Sequence, residues 1–150
     1  MNTTLDTRKY VSILKGIVED GHEVSMTIVG SSMSPFLIHN RDKIYFTKPD
    51  SPLKRGDMVF YQRSNGQYVM HRIINAKKDG YYMVGDAQIK IEGPIDENQI
   101  FAIVTKVVRK GKTILPGNFW WKFFSGPWLT LLPLRPMITK LYGIKNRQMA

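Results

Sequence analysis

The spacing of hydrophobic and polar positions changes character twice along this chain. From Leu5 to Asp20 the apolar residues Val11, Leu14, Ile17 and Val18 recur at helical intervals, with Thr3 or Thr4 as candidate N-caps and Gly21 as the stop. That spacing predicts an amphipathic helix. The period then shortens. The runs "EVSMTIV", "KIYFTK", "DMVFYQ", "QYVMHRII", "YYMV" and "IFAIVTKVV" are rich in β-branched and aromatic residues, and the polar stretches "HNRD", "KPDSPLKRG", "SNG", "KKDG" and "GPIDEN" separate them. They predict a meander of about six strands. Asn65-Gly66 within "RSNGQY" fits a two-residue hairpin turn with positive φ. Short strands with turns at this frequency favour an antiparallel, barrel-like or sandwiched sheet over a parallel one.

At Pro116 the pattern changes again, to "PGNFWWKFFSGPWLTLLPLRPMITKLYGIKNRQMA", which holds all three tryptophans. Pro127, Pro133 and Pro136, with Lys122 and Arg135, interrupt any apolar run of the ~20 residues that a spanning helix needs. Rings mixed with cations suit a segment lying among lipid headgroups, which makes Trp120, Trp121, Lys122, Phe123, Phe124 and Trp128 candidate membrane-binding residues. The competing reading packs the same rings onto the sheet. Three regions follow: an N-terminal amphipathic helix over 1–22, a β domain over 23–115 and an aromatic, basic C-terminal segment, expected to be helical, over 116–150.

Charge sharpens this division. Residues 1–100 carry 13 Lys/Arg against 12 Asp/Glu, whereas residues 101–150 carry 9 Lys/Arg and no acid, so nearly all of the net charge of +10 lies in the last third. Such a segment favours an anionic partner. The opening "MNTTLDTRKYVSILKGIVEDG" has no long apolar stretch, so neither a signal peptide nor an anchor is expected there. With 150 residues the chain can bury a core of its own, and with no cysteine it has neither disulfides nor thiolate metal sites.

The stretch "VGSSMSPFL", Val29 to Leu37, raises the question of chemistry. A serine becomes a nucleophile only where a base takes its proton and donors stabilise the oxyanion. His22 sits in a Gly21-His22-Glu23 turn, His39 in a polar loop, and His71 within the apolar run "YVMHRII". Taken singly, Ser32 reads as a turn residue and His71 as a hydrogen-bonded strand residue. Asp86, in "GYYMVGDAQ", either forms an Asx turn or accepts the second ring N–H of a histidine.

Taken in order, "GSSMSPFL", "LKRGDMVFYQ", "VMHRII", "YYMVGDA" and "IFAIVTKVV" resemble the successive boxes of the type I signal peptidase and SOS-repressor autoprotease superfamily, over roughly 24–108. The resemblance implies a mainly β (α+β) fold with that superfamily's antiparallel barrel-like sheet. It also implies that Ser32, just before the methionine, is the nucleophile. His71, followed by Arg72, occupies the box where the endoplasmic-reticulum and archaeal-like branch keeps a histidine base in place of lysine. A histidine base suits neutral pH without the burial that lysine requires. Asp86 matches the supporting aspartate, and a second acid falls to Glu92 or Asp96. Where many relatives keep an oxyanion-donating serine two residues before the nucleophile, this chain has Gly30, which leaves the Ser32 N–H and the Ser31 hydroxyl for the oxyanion hole.

The activity so implied is endopeptidase cleavage of a leader or signal-like peptide, a preprotein substrate bound as an added strand, with no cofactor and no metal. "EVSMTIV" would line one side of that substrate. An anionic membrane surface is the expected second partner and nucleic acid is not expected. The acid-free tail fits a peripheral protein on the cytoplasmic face. Oligomeric state stays open. The competing function is an inactive peptide- or membrane-binding module of the same fold. A self-cleaving repressor is disfavoured, because only some twenty residues precede the sheet and no Ala-Gly junction is present.

Overall fold

The computed structural model describes residues 3–141, with side chains from Arg8 onward. The end of the basic segment, residues 142–150, lies outside the described residues. Helix α1 (Thr3–Glu19) precedes strands β1 (Val24–Thr27), β2 (Lys43–Thr47), β3 (Met58–Gln62), β4 (Tyr68–Lys77), β5 (Gly80–Val84), β6 (Glu92–Ile95), β7 (Ile100–Arg109) and β8 (Lys112–Ile114). Helices α2 (Phe119–Ser125), α3 (Pro127–Thr130) and α4 (Arg135–Leu141) follow, with 3-10 turns at Glu97–Gln99 and Leu132–Leu134. The fold is mainly β.

All strand pairs are antiparallel. They form one eight-stranded sheet in the order β1-β2-β7-β3-β4-β5-β6, with β8 pairing β7. The sheet is not closed: its path has two ends, β1 and β6. Strand β3 is buried on both faces. Its alternation sends Met58 and Phe60 into one core, together with Val11, Leu14 and Val18 of α1, and Val59 and Tyr61 into a second core with Ile73 and Met83.

Helix α1 stops where its glycine predicts: Gly21 has φ +96° and its N–H reaches the Val18 carbonyl at 2.8 Å. Ile17, expected on the buried stripe, is 39% exposed, whereas Val18 is fully buried. Two strands went unpredicted. Strand β6 contains Gly93-Pro94, which reads as a turn but is tolerated at a sheet edge, and β8 is only three residues long. The hairpin at Asn65-Gly66 is a three-residue loop, not the expected two-residue turn. The Gly66 N–H bonds the Arg63 carbonyl at 2.8 Å, Gly66 alone of the pair has positive φ, and the Arg63 N–H closes on the Gln67 carbonyl at 2.8 Å. Those bonds describe a turn followed by a glycine bulge.

Candidate active site

Ser32 lies in the loop joining β1 to β2. Met33, Phe36 and Leu37 anchor that loop, each 2% exposed or less, while Ser31 and Ser32 stay half-buried beside them. The Ser32 carbonyl accepts the Ala87 N–H at 2.9 Å. Gly85 presses so closely on the same oxygen that a Cβ at that position would sit 2.5 Å from it. The "GDA" stretch after β5 is therefore a backbone clamp on the serine loop, and its glycine is required by close approach. Among the described residues, neither the hydroxyl nor the amide of Ser32 makes a hydrogen bond.

His71, in the middle of β4, is 5% exposed. Strand register explains its neighbour: Val59 lies opposite His71 and Tyr61 opposite Val69, so Tyr61 and His71 are diagonal neighbours across β3 and β4. The Tyr61 hydroxyl lies 3.3 Å from His71 Nδ1 and donates to Glu92 Oε1 at 2.8 Å. Arg63 grips the same carboxylate, with Nε 2.8 Å from Oε2 and Nη2 2.7 Å from Oε1.

Ser32 and His71 line one cavity of about 530 Å³, with Gln88 and Arg63 in the same wall. No hydrogen bond joins the two side chains among the described residues. His71, Gln88 and Arg63 also line a larger cavity of about 910 Å³, which adds Glu92, Asp86 and Ser34. Two chain segments line the smaller cavity: Met26, Ile28 and Val29 from β1 and its extension, and Tyr68, Val69 and Met70 from the start of β4. Strand β5 pairs β4 only from Arg72 onward, and β1 pairs β2 alone.

The acids fall differently from the resemblance. Asp86 does not serve the His71 ring. Its carboxylate takes Arg72 Nε at 2.9 Å and Nη2 at 2.8 Å, both side chains are fully buried, and His71 Nδ1 meets Tyr61. Glu92 joins the site through Tyr61, but Asp96 does not. Asp96 caps the 3-10 turn at Glu97–Gln99, its side chain accepting the Asn98 N–H at 2.9 Å. The oxyanion candidates also divide. The Gly30 N–H is taken by His39 Nδ1 at 2.8 Å, and the Ser31 carbonyl accepts the Ser34 N–H at 3.1 Å.

The proposed membrane-binding residues divide as well. Trp121, Phe124 and Trp128 are 8%, 4% and 5% exposed and belong to the main core, where Trp121 and Phe124 pack on the Phe36 ring. Buried rings cannot contact lipid. Trp120 is 45% exposed, Phe123 is half-buried and Lys122 is exposed, and they are joined by Phe119 at 68% and Leu115 at 55%. No helix among the described residues is long and apolar enough to cross a membrane.

Sequence reasoning missed the supports of the clamp. Trp128 Nε1 donates to the Asp86 carbonyl at 2.8 Å, and Arg135 Nη1 donates to the carbonyls of Gly85 at 2.9 Å and Gln88 at 2.7 Å. Burial pushes the Arg135 guanidinium down to about 10. The available signal was a cation inside an apolar run, "VMHRII" for Arg72 and "LLPLRPM" for Arg135, since such a group needs a buried partner.

Electrostatics keep the imidazole neutral. Burial lowers His71 from its ordinary value to about 4, with Glu92 opposing and Arg63 adding to the shift. The Arg63 fork holds the Glu92 carboxyl below the usual carboxylate range. Burial, reinforced by Glu92, raises the Tyr61 phenol, so it stays protonated. Because the folded-state value of His71 is below the unfolded one near 6.5, the unfolded chain takes up the proton first as pH falls. Stability from this group is therefore complete above pH 6.5 and is lost between 6.5 and 4, by about 3 kcal/mol at pH 4. Urea unfolding across that range is expected to register the loss, and His71→Gln is expected to remove that part of the pH dependence.

Compared with protein-family models and with curated proteins, the chain finds no match in either. The site's own chemistry therefore carries the functional reading.

Proposed function

We propose that this protein is a serine endopeptidase of the signal-peptidase type, with Ser32 as nucleophile and His71 as general base. The observation that carries the reading is that Ser32 and His71, far apart in sequence, share the wall of one cavity. His71 takes the Ser32 proton as the hydroxyl attacks a scissile carbonyl, then returns it to the leaving amine; water activated by the same imidazole releases the acyl group. The Ser32 N–H, with no partner among the described residues, is the donor for the oxyanion.

An extended peptide suits the cavity, because the β1 extension and the start of β4 offer it two backbone edges. Under this reading the substrate strand fills the opening of a barrel-like sheet, as in the superfamily the sequence resembles. Incubation with leader-like peptides bearing small residues at the first and third positions before the cut, followed by mass spectrometry, tests it. A single cut after a small residue is expected, and intact peptides at every sequence offered would refute the reading. The competing function, an inactive binding module, draws on the Gly30 amide being held by His39 and on the unbonded Ser32 hydroxyl.

The proposed place of action is an anionic membrane surface on the cytoplasmic side. Leu115, Phe119 and Trp120 form the exposed apolar contact, with Lys112 and Lys122 close in sequence to meet lipid phosphates. Each ring is worth on the order of 1 kcal/mol or more on burial. The double variant Phe119→Ala/Trp120→Ala is therefore expected to weaken sedimentation with phosphatidylserine-containing vesicles by about tenfold or more. Equal sedimentation of the two proteins would remove this surface from the account.

A further inference from the structure

We infer that Tyr61 and Glu92 are positioning residues that fix His71 as the Nδ1–H tautomer, leaving Nε2 as its lone-pair nitrogen. The inference deepens the peptidase reading, for which it supplies the protonation state of the base, but its geometry stands without that reading. It starts at Glu92. An ionised carboxylate can only accept hydrogen bonds, so the 2.8 Å contact between Tyr61 Oη and Glu92 Oε1 uses the phenol's one proton. The Tyr61 oxygen then has only lone pairs to offer His71. The ring nitrogen 3.3 Å away must carry a hydrogen if the contact is a bond, and that nitrogen is Nδ1. A neutral imidazole protonated at Nδ1 is bare at Nε2.

Arg63 holds the relay in this sense. Its two bonds, at 2.8 and 2.7 Å, hold the Glu92 carboxylate in its ionised, accepting form. The buried imidazole is itself neutral at ordinary pH, so its tautomer is a defined property. The orienting acid of a Ser-His site thus acts through a phenol, and Asp86 is engaged elsewhere by Arg72.

His39 provides an internal control of opposite sign. Its Nδ1 accepts the Gly30 N–H at 2.8 Å, and a backbone amide can only donate, so a neutral His39 carries its proton on Nε2. One protein thus holds two histidines of opposite tautomer.

The test is long-range ¹H–¹⁵N correlation spectroscopy of the full chain with ¹⁵N-labelled histidine at pH 7, the ring signals assigned with His71→Gln and His39→Gln. Expected are a protonated Nδ1 and a bare Nε2 for His71, and the reverse for His39. Tyr61→Phe keeps the packed ring and removes only the oxygen. In that variant His71 is expected to redistribute toward the Nε2–H form. Glu92→Gln, which keeps the shape and removes the charge, is expected to shift the population the same way if Tyr61→Phe does not fold. A protonated Nε2 on His71 in the unaltered protein overturns the inference, as does an Nδ1–H signal unchanged in whichever variants fold. Peptide hydrolysis separates the two claims. Where the enzyme is active, Tyr61→Phe is expected to lower kcat about tenfold with little change in KM. Tautomers as expected in a protein that cuts no peptide would sink the peptidase reading and leave the relay standing.

Discussion

Asp86→Ala is expected to lower the unfolding free energy by about 3–5 kcal/mol, the usual cost of stripping one partner from a buried ion pair. Arg72 and Asp86 are both fully buried, and among the described residues the guanidinium hydrogen-bonds only the Asp86 carboxylate and the Gly56 carbonyl. Removing the carboxylate leaves a fully buried cation without its counter-charge. Natural domains have only about 5–15 kcal/mol in all, so a loss of this size is readily measured in urea. Replacing both partners by apolar residues, as in Arg72→Met/Asp86→Leu, is expected to restore much of it, because neither charge then remains unpaired. The pair of variants also separates two roles for the aspartate. An acid serving the His71 ring would leave folding nearly unchanged when truncated and would lower only turnover.

Under the proposed peptidase function, Ser32→Ala and His71→Ala are each expected to reduce peptide hydrolysis by about 10⁴-fold or more, and the double variant by little further, because a nucleophile and its base act as one unit. Both residues line the cavity, and neither substitution touches its other walls. Ser32→Ala should fold as the parent does, since the serine loop is held by Met33, Phe36, Leu37 and the Ala87 N–H, not by the hydroxyl. His71→Ala should in addition lose the stability decrement between pH 6.5 and 4. Hydrolysis by Ser32→Ala within a hundredfold of the parent would place the nucleophile elsewhere.

Much of the fold could be read from residue patterns because local rules and tertiary packing agree there. The helix ends at Gly21, and six of the eight strands coincide with the β-branched and aromatic runs. The two missed strands fail for physical reasons: Pro94 is acceptable only because β6 is an edge, and β8 is ordered by pairing with β7. The aromatic segment misled because composition carries no direction. Trp121, Phe124 and Trp128 recur at intervals of three and four, which already marks a buried stripe, while Phe119 and Trp120 fall outside it.

The site was legible in part. Ser32, His71 and Glu92 were candidates from the sequence, and the structure brings the first two to one cavity and the third to His71 through Tyr61. The partner of Asp86 was not foreseen, although strand geometry contains the reason. Successive residues of a strand point to opposite faces, so His71 turns to Tyr61 while Arg72 turns to Asp86 and the Phe36 ring. Tyr61 itself was invisible as a neighbour of His71, because a tyrosine in "DMVFYQ" looks like any core aromatic until the register of β3 on β4 sets it diagonally across from His71.

The most direct measurement is reaction of the intact protein with a fluorophosphonate at neutral pH, with the modified residue located by mass spectrometry. A single adduct is expected on the Ser32 oxygen, absent in Ser32→Ala and formed far more slowly in His71→Ala. An unmodified protein, an adduct on another residue, or a labelling rate indifferent to His71→Ala would contradict the claim that these two side chains form one reactive site.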